Sequence, residues 1–176
     1  GKGSNLKSLI KFSKTNKSPI SIDLIISNNS KAKGLNYGKI FKIKKKVLNF
    51  KNKNQSEKKL LSILKKNNIK MICLAGFMKI LSRKFINKFK GKIINIHPSL
   101  LPKYKGLNTH QRVLINNEKY SGCTVHFVNS KLDSGKIILQ KKVKITKKET
   151  TNSLTKKILV EEHKLYAKAI LKVFSL

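Results

Sequence analysis

Carboxylates are scarce in this chain, whose 176 residues include only 7 Asp and Glu against 41 Lys and Arg. A function built on clustered acids, such as a calcium site or a carboxylate dyad, therefore has few residues to draw on. Cysteine is rarer still. Cys73 and Cys123 lie in separate apolar runs, MICLAG and GCTVHFV, without metal-ligand spacing. That excludes a disulfide scaffold and reads both as small buried residues in a reducing compartment. Tryptophan is absent and proline occurs three times. No apolar stretch approaches the roughly 20 residues that span a bilayer, and no basic-then-apolar leader pattern is present. The expected location is the cytoplasm, with no membrane partner.

Arginine is also missing where it would matter most. A net charge of +34 is the usual footprint of a nucleic-acid binder. Yet only Arg83 and Arg112 carry the bidentate guanidinium that favours phosphate and base recognition, and the other basic residues are lysines spread along the whole chain. Lysine, asparagine and isoleucine share A/T-rich codons, so a biased genome accounts for the composition without a polyanionic partner. No specific nucleic acid is expected, only loose binding that weakens steeply with salt.

Short apolar runs alternate with amphipathic segments, the pattern of an α/β domain with a mostly parallel, Rossmann-like sheet and helices on both faces. The periodicity predicts helices over 5–16, 55–67, 82–89, 108–117 and from Thr150 or Thr151 to Phe174. Strands are predicted at SIDLIIS, MICLAG, KIINI, GCTVHFV and IILQKKVKI, with FKIKKKV as an edge strand. Residues 44–59 are lysine-rich and read as a solvated face or a mobile loop. With no internal repeat or linker, residues 1–176 are expected to form one domain.

Two constellations carry chemistry. Gly1-Lys2-Gly3-Ser4-Asn5 stands directly before a helical pattern, where glycines and free helix N–H groups can cradle a phosphate. A flexible terminus would look the same. The second is Asn95-Ile96-His97-Pro98-Ser99-Leu100-Leu101-Pro102, followed by GCTVHFV and Leu132-Asp133-Ser134-Gly135. Asn95 and His97 are two apart at a strand end, so both side chains face the same way. The prolines keep the next loop extended beside a crevice of the kind where α/β sheets bind ligands. A lone histidine at a strand end is most often structural, but a carboxylate in a D-x-G turn stands out in a chain so poor in acids.

GxGSNL, LAGFMKILS, NIHPSLLPKYKG, GCTVHFV and LDSGKIILQ, with Glu162-His163 further on, resemble the phosphoribosylglycinamide formyltransferase family over essentially the whole chain. The resemblance implies a formyltransferase fold and transfer of a formyl group from the co-substrate 10-formyltetrahydrofolate to the amine of 5-phosphoribosylglycinamide, in purine biosynthesis and without a metal. It implies Asn95, His97 and Asp133 as the catalytic set. Asn95 would donate to the developing oxyanion, His97 would assist proton transfer, and Asp133 would orient the imidazole. Gly3, Ser4 and Asn5 would hold the substrate phosphate and Glu162 its ribose hydroxyls. Met78, Lys79, Ile80 and Leu81, together with Asn95, would meet the folate. His126 is expected beside the site, and His110 and His163 as structural or surface residues. The assembly implied is a monomer or homodimer.

Lys2 stands where the family often has asparagine, and Lys105 where proline is common. Family members also carry a strand before GxGSNL; a chain opening at Gly1 is expected to lack it, with an Ile- and Val-rich strand encoded upstream. Methionyl-tRNA formyltransferase and formyltetrahydrofolate deformylase share the Asn, His and Asp set but carry additional domains. The alternative outside enzymes is a basic nucleic-acid-binding module with a decayed site.

Overall fold

A computed structural model describes residues 3–175. The chain divides between Ile93 and Ile94 into two compact units.

The first unit opens with helix α1 (Ser4–Ser13), which buries Leu9 and Ile10. Gly3 precedes it with φ 76°, and a Cβ there would lie 2.7 Å from the Gly34 Cα. Both the left-handed backbone and the close approach require glycine. Strand β1 (Leu24–Ser27) follows, then a 3-10 turn (Lys33–Leu35), helix α2 (Asn36–Ile40) and strand β2 (Lys44–Val47). The two strands are parallel, with Leu24 opposite Lys44 and Ser27 opposite Val47. Ile10, Ile25 and Leu35 form the core of this region, with Leu6, Ile22, Tyr37 and Phe41 packed around it. All four residues of β2 are exposed, which agrees with a solvated lysine face.

Helix α3 (Lys53–Lys66) starts at Asn52, whose side chain accepts from the Gln55 N–H at 3.1 Å, and buries Leu60 and Leu64. Strand β3 (Met71–Leu74) and helix α4 (Arg83–Lys88) follow. Ser82 caps α4 as its spacing predicts, accepting from the Phe85 N–H at 3.0 Å. Its own N–H donates to Glu57 at 2.8 Å, and its hydroxyl donates to the same carboxylate. Glu57 is buried on α3. One of the seven acids is therefore spent tethering the residue that follows Met78–Leu81. Cys73 lies on β3, where every residue is half-buried, so the expectation of a fully buried thiol is corrected there; Cys123 is fully buried.

The second unit is built on strands β4 (Lys92–His97, entering from the first unit), β5 (Tyr120–Phe127) and β6 (Ile137–Lys144), neighbours in that order. Helix α5 (Thr109–Ile115) lies between β4 and β5, and helix α6 (Thr151–Phe174) closes the unit. A capping box between Thr150 and Ser153 starts α6, which settles on the first of the two threonines that the sequence offers as caps. Helix α6 packs on β5 and β6 and buries Leu154, Ile158, Leu165, Tyr166, Ala169, Ile170 and Val173. The α/β class expected from the alternation of elements holds. The last three strands, however, run antiparallel, Asn95 facing His126 and Cys123 facing Lys141. No helix separates β5 from β6, and a helical crossover is what a parallel connection needs.

Candidate active site

The end of β4 presents Asn95 and His97 on one face, as their spacing predicts, and β5 places a partner opposite each. Asn95 is in register with His126 and His97 with Thr124. The loop from β5 to β6 brings in Asp133 at φ 43°, a left-handed conformation that aspartate tolerates better than most residues. Gly135 completes that turn: a Cβ would fall 1.7 Å from the Phe127 carbonyl oxygen, so only glycine fits.

The polar atoms connect closely. His97 Nδ1 lies 3.4 Å from Asp133 Oδ2, and His126 Nε2 lies 3.7 Å from Asp133 Oδ1. The second nitrogen of His97, Nε2, is 2.9 Å from the Tyr104 carbonyl oxygen. A carbonyl can only accept, so Nε2 carries a proton and Nδ1 is the edge turned to Asp133. A carbonyl orients His126 in the same way. Its Nδ1 lies 2.8 Å from the Phe127 carbonyl oxygen and donates to it, leaving Nε2 to accept from the Asn95 amide at 3.3 Å. Burial holds His126 below the ordinary histidine range, outweighing the Phe127 bond and the Asp133 charge. A neutral ring at that position keeps its acceptor. Asn95 thus has its Nδ2 pointed by His126, with a second N–H left over.

The loop after His97 is pinned from below. Thr124 Oγ1 donates to the Ser99 carbonyl at 2.6 Å and accepts from Leu101 N–H at 3.1 Å and from Gln140 Nε2 at 2.9 Å. Gln140 also donates to the Leu101 carbonyl at 2.8 Å. Ser99 Oγ donates to the Lys103 carbonyl at 2.7 Å. None of these supports was expected from the sequence. Thr124 carried one usable signal, a polar residue on the buried side of an apolar strand.

Of the expected site residues, Asn95, His97 and Asp133 come together in the second unit, with His126 among them. Glu162, also in that unit, is buried on α6. Burial first, and then the Glu162 charge, push the Cys123 thiol up to about 12, which makes that thiol inert. Gly3, Ser4 and Asn5 lie in the first unit at the start of α1, where Lys7 N–H bonds the Gly3 carbonyl at 2.9 Å. Met78 and Ile80 in that unit are exposed, Lys79 is exposed and Leu81 is buried.

Burial also lowers His110 and His163, so three histidines share one direction. Each binds a proton more readily unfolded than folded. Stability that is full above about pH 6.5 is therefore lost as the pH falls through the unfolded value, until the folded groups themselves titrate. The melting temperature is expected to drop between pH 7 and pH 5, and His110→Gln to flatten that slope. A melting temperature that is level or rising over this interval contradicts the assignment.

These connected groups sit in a chain that belongs to the formyl transferase family, whose profile matches residues 1–170. Its relatives narrow the comparison to one branch. Phosphoribosylglycinamide formyltransferase of Haemophilus influenzae is 40% identical over 169 residues, covering 94% of this chain and 80% of that protein. The human trifunctional purine biosynthetic protein adenosine-3 is 39% identical over 173 residues, which make up 97% of this chain but only 17% of that protein's length. Among solved structures, phosphoribosylglycinamide formyltransferase of Bacillus halodurans superposes with a TM-score of 0.94 at 32% identity, over 99% of this chain and 92% of that one.

Proposed function

We propose that this chain transfers the formyl group of 10-formyltetrahydrofolate to the amine of 5-phosphoribosylglycinamide, using Asn95, His97 and Asp133. One observation carries the reading: Asp133, remote in sequence from Asn95 and His97, is linked to both through shared partners at the end of β4 in a member of the formyl transferase family. The amine nitrogen attacks the formyl carbon, the bond from that carbon to the folate nitrogen breaks, and one amine proton ends on the departing nitrogen. The formyl oxygen gains charge in between. The Asn95 N–H that His126 leaves over is the donor for it, and such a donor acts most strongly where charge develops. His97 keeps its Nε2 proton on the Tyr104 carbonyl, so Nδ1, on the side of Asp133 that orients the ring, is the nitrogen left to take up the amine proton and pass it to the departing nitrogen.

Gly3, Ser4 and Asn5 bind the substrate phosphate through the N–H groups that open α1, where the helix dipole also favours an anion. Glu162 takes the ribose hydroxyls, and Met78, Lys79, Ile80 and Leu81 take the pterin. The same reading treats residues 1–176 as one catalytic domain, a monomer or homodimer, acting in the cytoplasm on small molecules. It requires no metal, no specific nucleic acid and no membrane. Among the described residues no helix is long and apolar enough to cross a membrane.

An acceptor competition tests this function. With 10-formyltetrahydrofolate in excess, glycinamide ribonucleotide is expected to be formylated and initiator methionyl-tRNA left untouched. Transfer to the tRNA alone would assign the chain to the other branch of the superfamily.

A further inference from the structure

We propose that residues Tyr104–Gly106 form a backbone clamp on the His97–Asp133 pair, and that the Tyr104 side chain is a positioning residue that locks this clamp. The proposal rests on His97 and Asp133 acting as read above. The clamp grips both partners. The Tyr104 carbonyl accepts from His97 Nε2 at 2.9 Å, while the Gly106 N–H donates at 2.9 Å to Asp133 Oδ2, the oxygen that faces His97 Nδ1. One short segment thus sets the distance between imidazole and carboxylate and holds the proton at Nε2.

That segment does not hold its shape by local preference. Tyr104 has φ 56° and Gly106 φ 80°. Glycine adopts such a backbone freely, but a bulky tyrosine there costs energy that neighbouring contacts must supply. Those contacts are present. The Tyr104 hydroxyl donates to Glu118 Oε1 at 2.9 Å and accepts from Asn116 Nδ2 at 3.0 Å. Bonds from Lys103 and Tyr104 hold the Glu118 carboxyl below the usual carboxylate range, so it stays an acceptor. The Arg112 guanidinium lies 5.4 Å from the centre of the Tyr104 ring and donates to the Lys105 carbonyl at 2.7 Å. One of the two arginines and one of the seven acids in the chain therefore converge on this tyrosine. Both lie on α5 or just beyond it, so the helix after the loop sets the geometry of the loop itself.

The test replaces the lock and leaves the clamp's backbone in place. Tyr104→Phe keeps the ring and removes the hydroxyl. It is expected to lower kcat about tenfold with little change in either KM, since misplacing a reacting group by about 1 Å can cost about a hundredfold. In 15N-histidine NMR spectra the His97 Nε2 signal is expected to move as its bond to the carbonyl lengthens. Glu118→Ala should copy Tyr104→Phe, the double variant should be no worse than either single one, and Glu118→Gln, which still accepts from the hydroxyl, should restore most of the rate. The NMR readout needs no turnover, so it separates failure of the clamp from failure of the proposed reaction. If Tyr104→Phe does not fold, Glu118→Ala carries the same comparison. A His97 signal and kcat that stay at wild-type values in Tyr104→Phe, or a Glu118→Gln variant as impaired as Glu118→Ala, would overturn the proposal.

Discussion

Asn95→Ala is expected to lower kcat by about 10²–10³ while leaving the KM for both substrates nearly unchanged. The amide is half-buried at the end of β4, with Nδ2 held by His126 and its second N–H available. In the proposed reaction it would contribute only when the formyl oxygen becomes negatively charged, and losing one preorganised donor of this kind raises a barrier by about 2.7–4 kcal/mol. A loss confined to kcat distinguishes this from lost substrate binding. His97→Ala is expected to be more severe and to abolish transfer, while substrates still raise the melting temperature. Steady-state kinetics with a thermal-shift measurement check both variants. Wild-type turnover in either one is incompatible with the roles assigned.

The largest expected effect on stability lies elsewhere. Phe85 is 1% exposed on α4, stacked on Phe89 with ring centroids 6.3 Å apart. Phe85→Ala leaves a cavity that α3 and α4 cannot fully close, at a cost of about 3–5 kcal/mol. For a chain of this size that lowers the melting temperature by about 6–20 °C. The Phe85 N–H also supplies the cap bond to Ser82, so a loosened α4 slackens the Glu57 tether that holds the end of the Met78–Leu81 segment. Thermal denaturation of Phe85→Ala is the check. A drop of only a degree or two would mean that the site repacks.

The α/β class, the caps at Ser82 and Thr150, and the pairing of Asn95 with His97 on one face were legible because each depends on periodicity or on residues within one turn of each other. Asp133 was legible for a different reason, as a carboxylate in a D-x-G turn within a chain that has almost none. The supports around the site were not. Thr124, Gln140 and Tyr104 act through backbone carbonyls and N–H groups, and no residue type records where a backbone group will point. Nor could the sequence show Glu57 reaching Ser82, because the contact joins two helices that local propensity treats independently.

The antiparallel run from β4 to β6 was hidden similarly: the alternation of elements suggests parallel strands, and while the helix-free connection gives away the reversal from β5 to β6, α5 between β4 and β5 conceals the first one. What the sequence determined by itself was the inventory: which side chains could do acid–base and oxyanion chemistry, and which strand ends and turns would carry them. Tertiary structure decided how those groups are charged and aimed. Burial keeps His126 neutral and so turns Asn95, while the left-handed backbone at Tyr104, held by Arg112, Asn116 and Glu118, sets His97 against Asp133. Desolvation and hydrogen-bond direction are properties of groups brought together in space, and they exist only once the chain has folded.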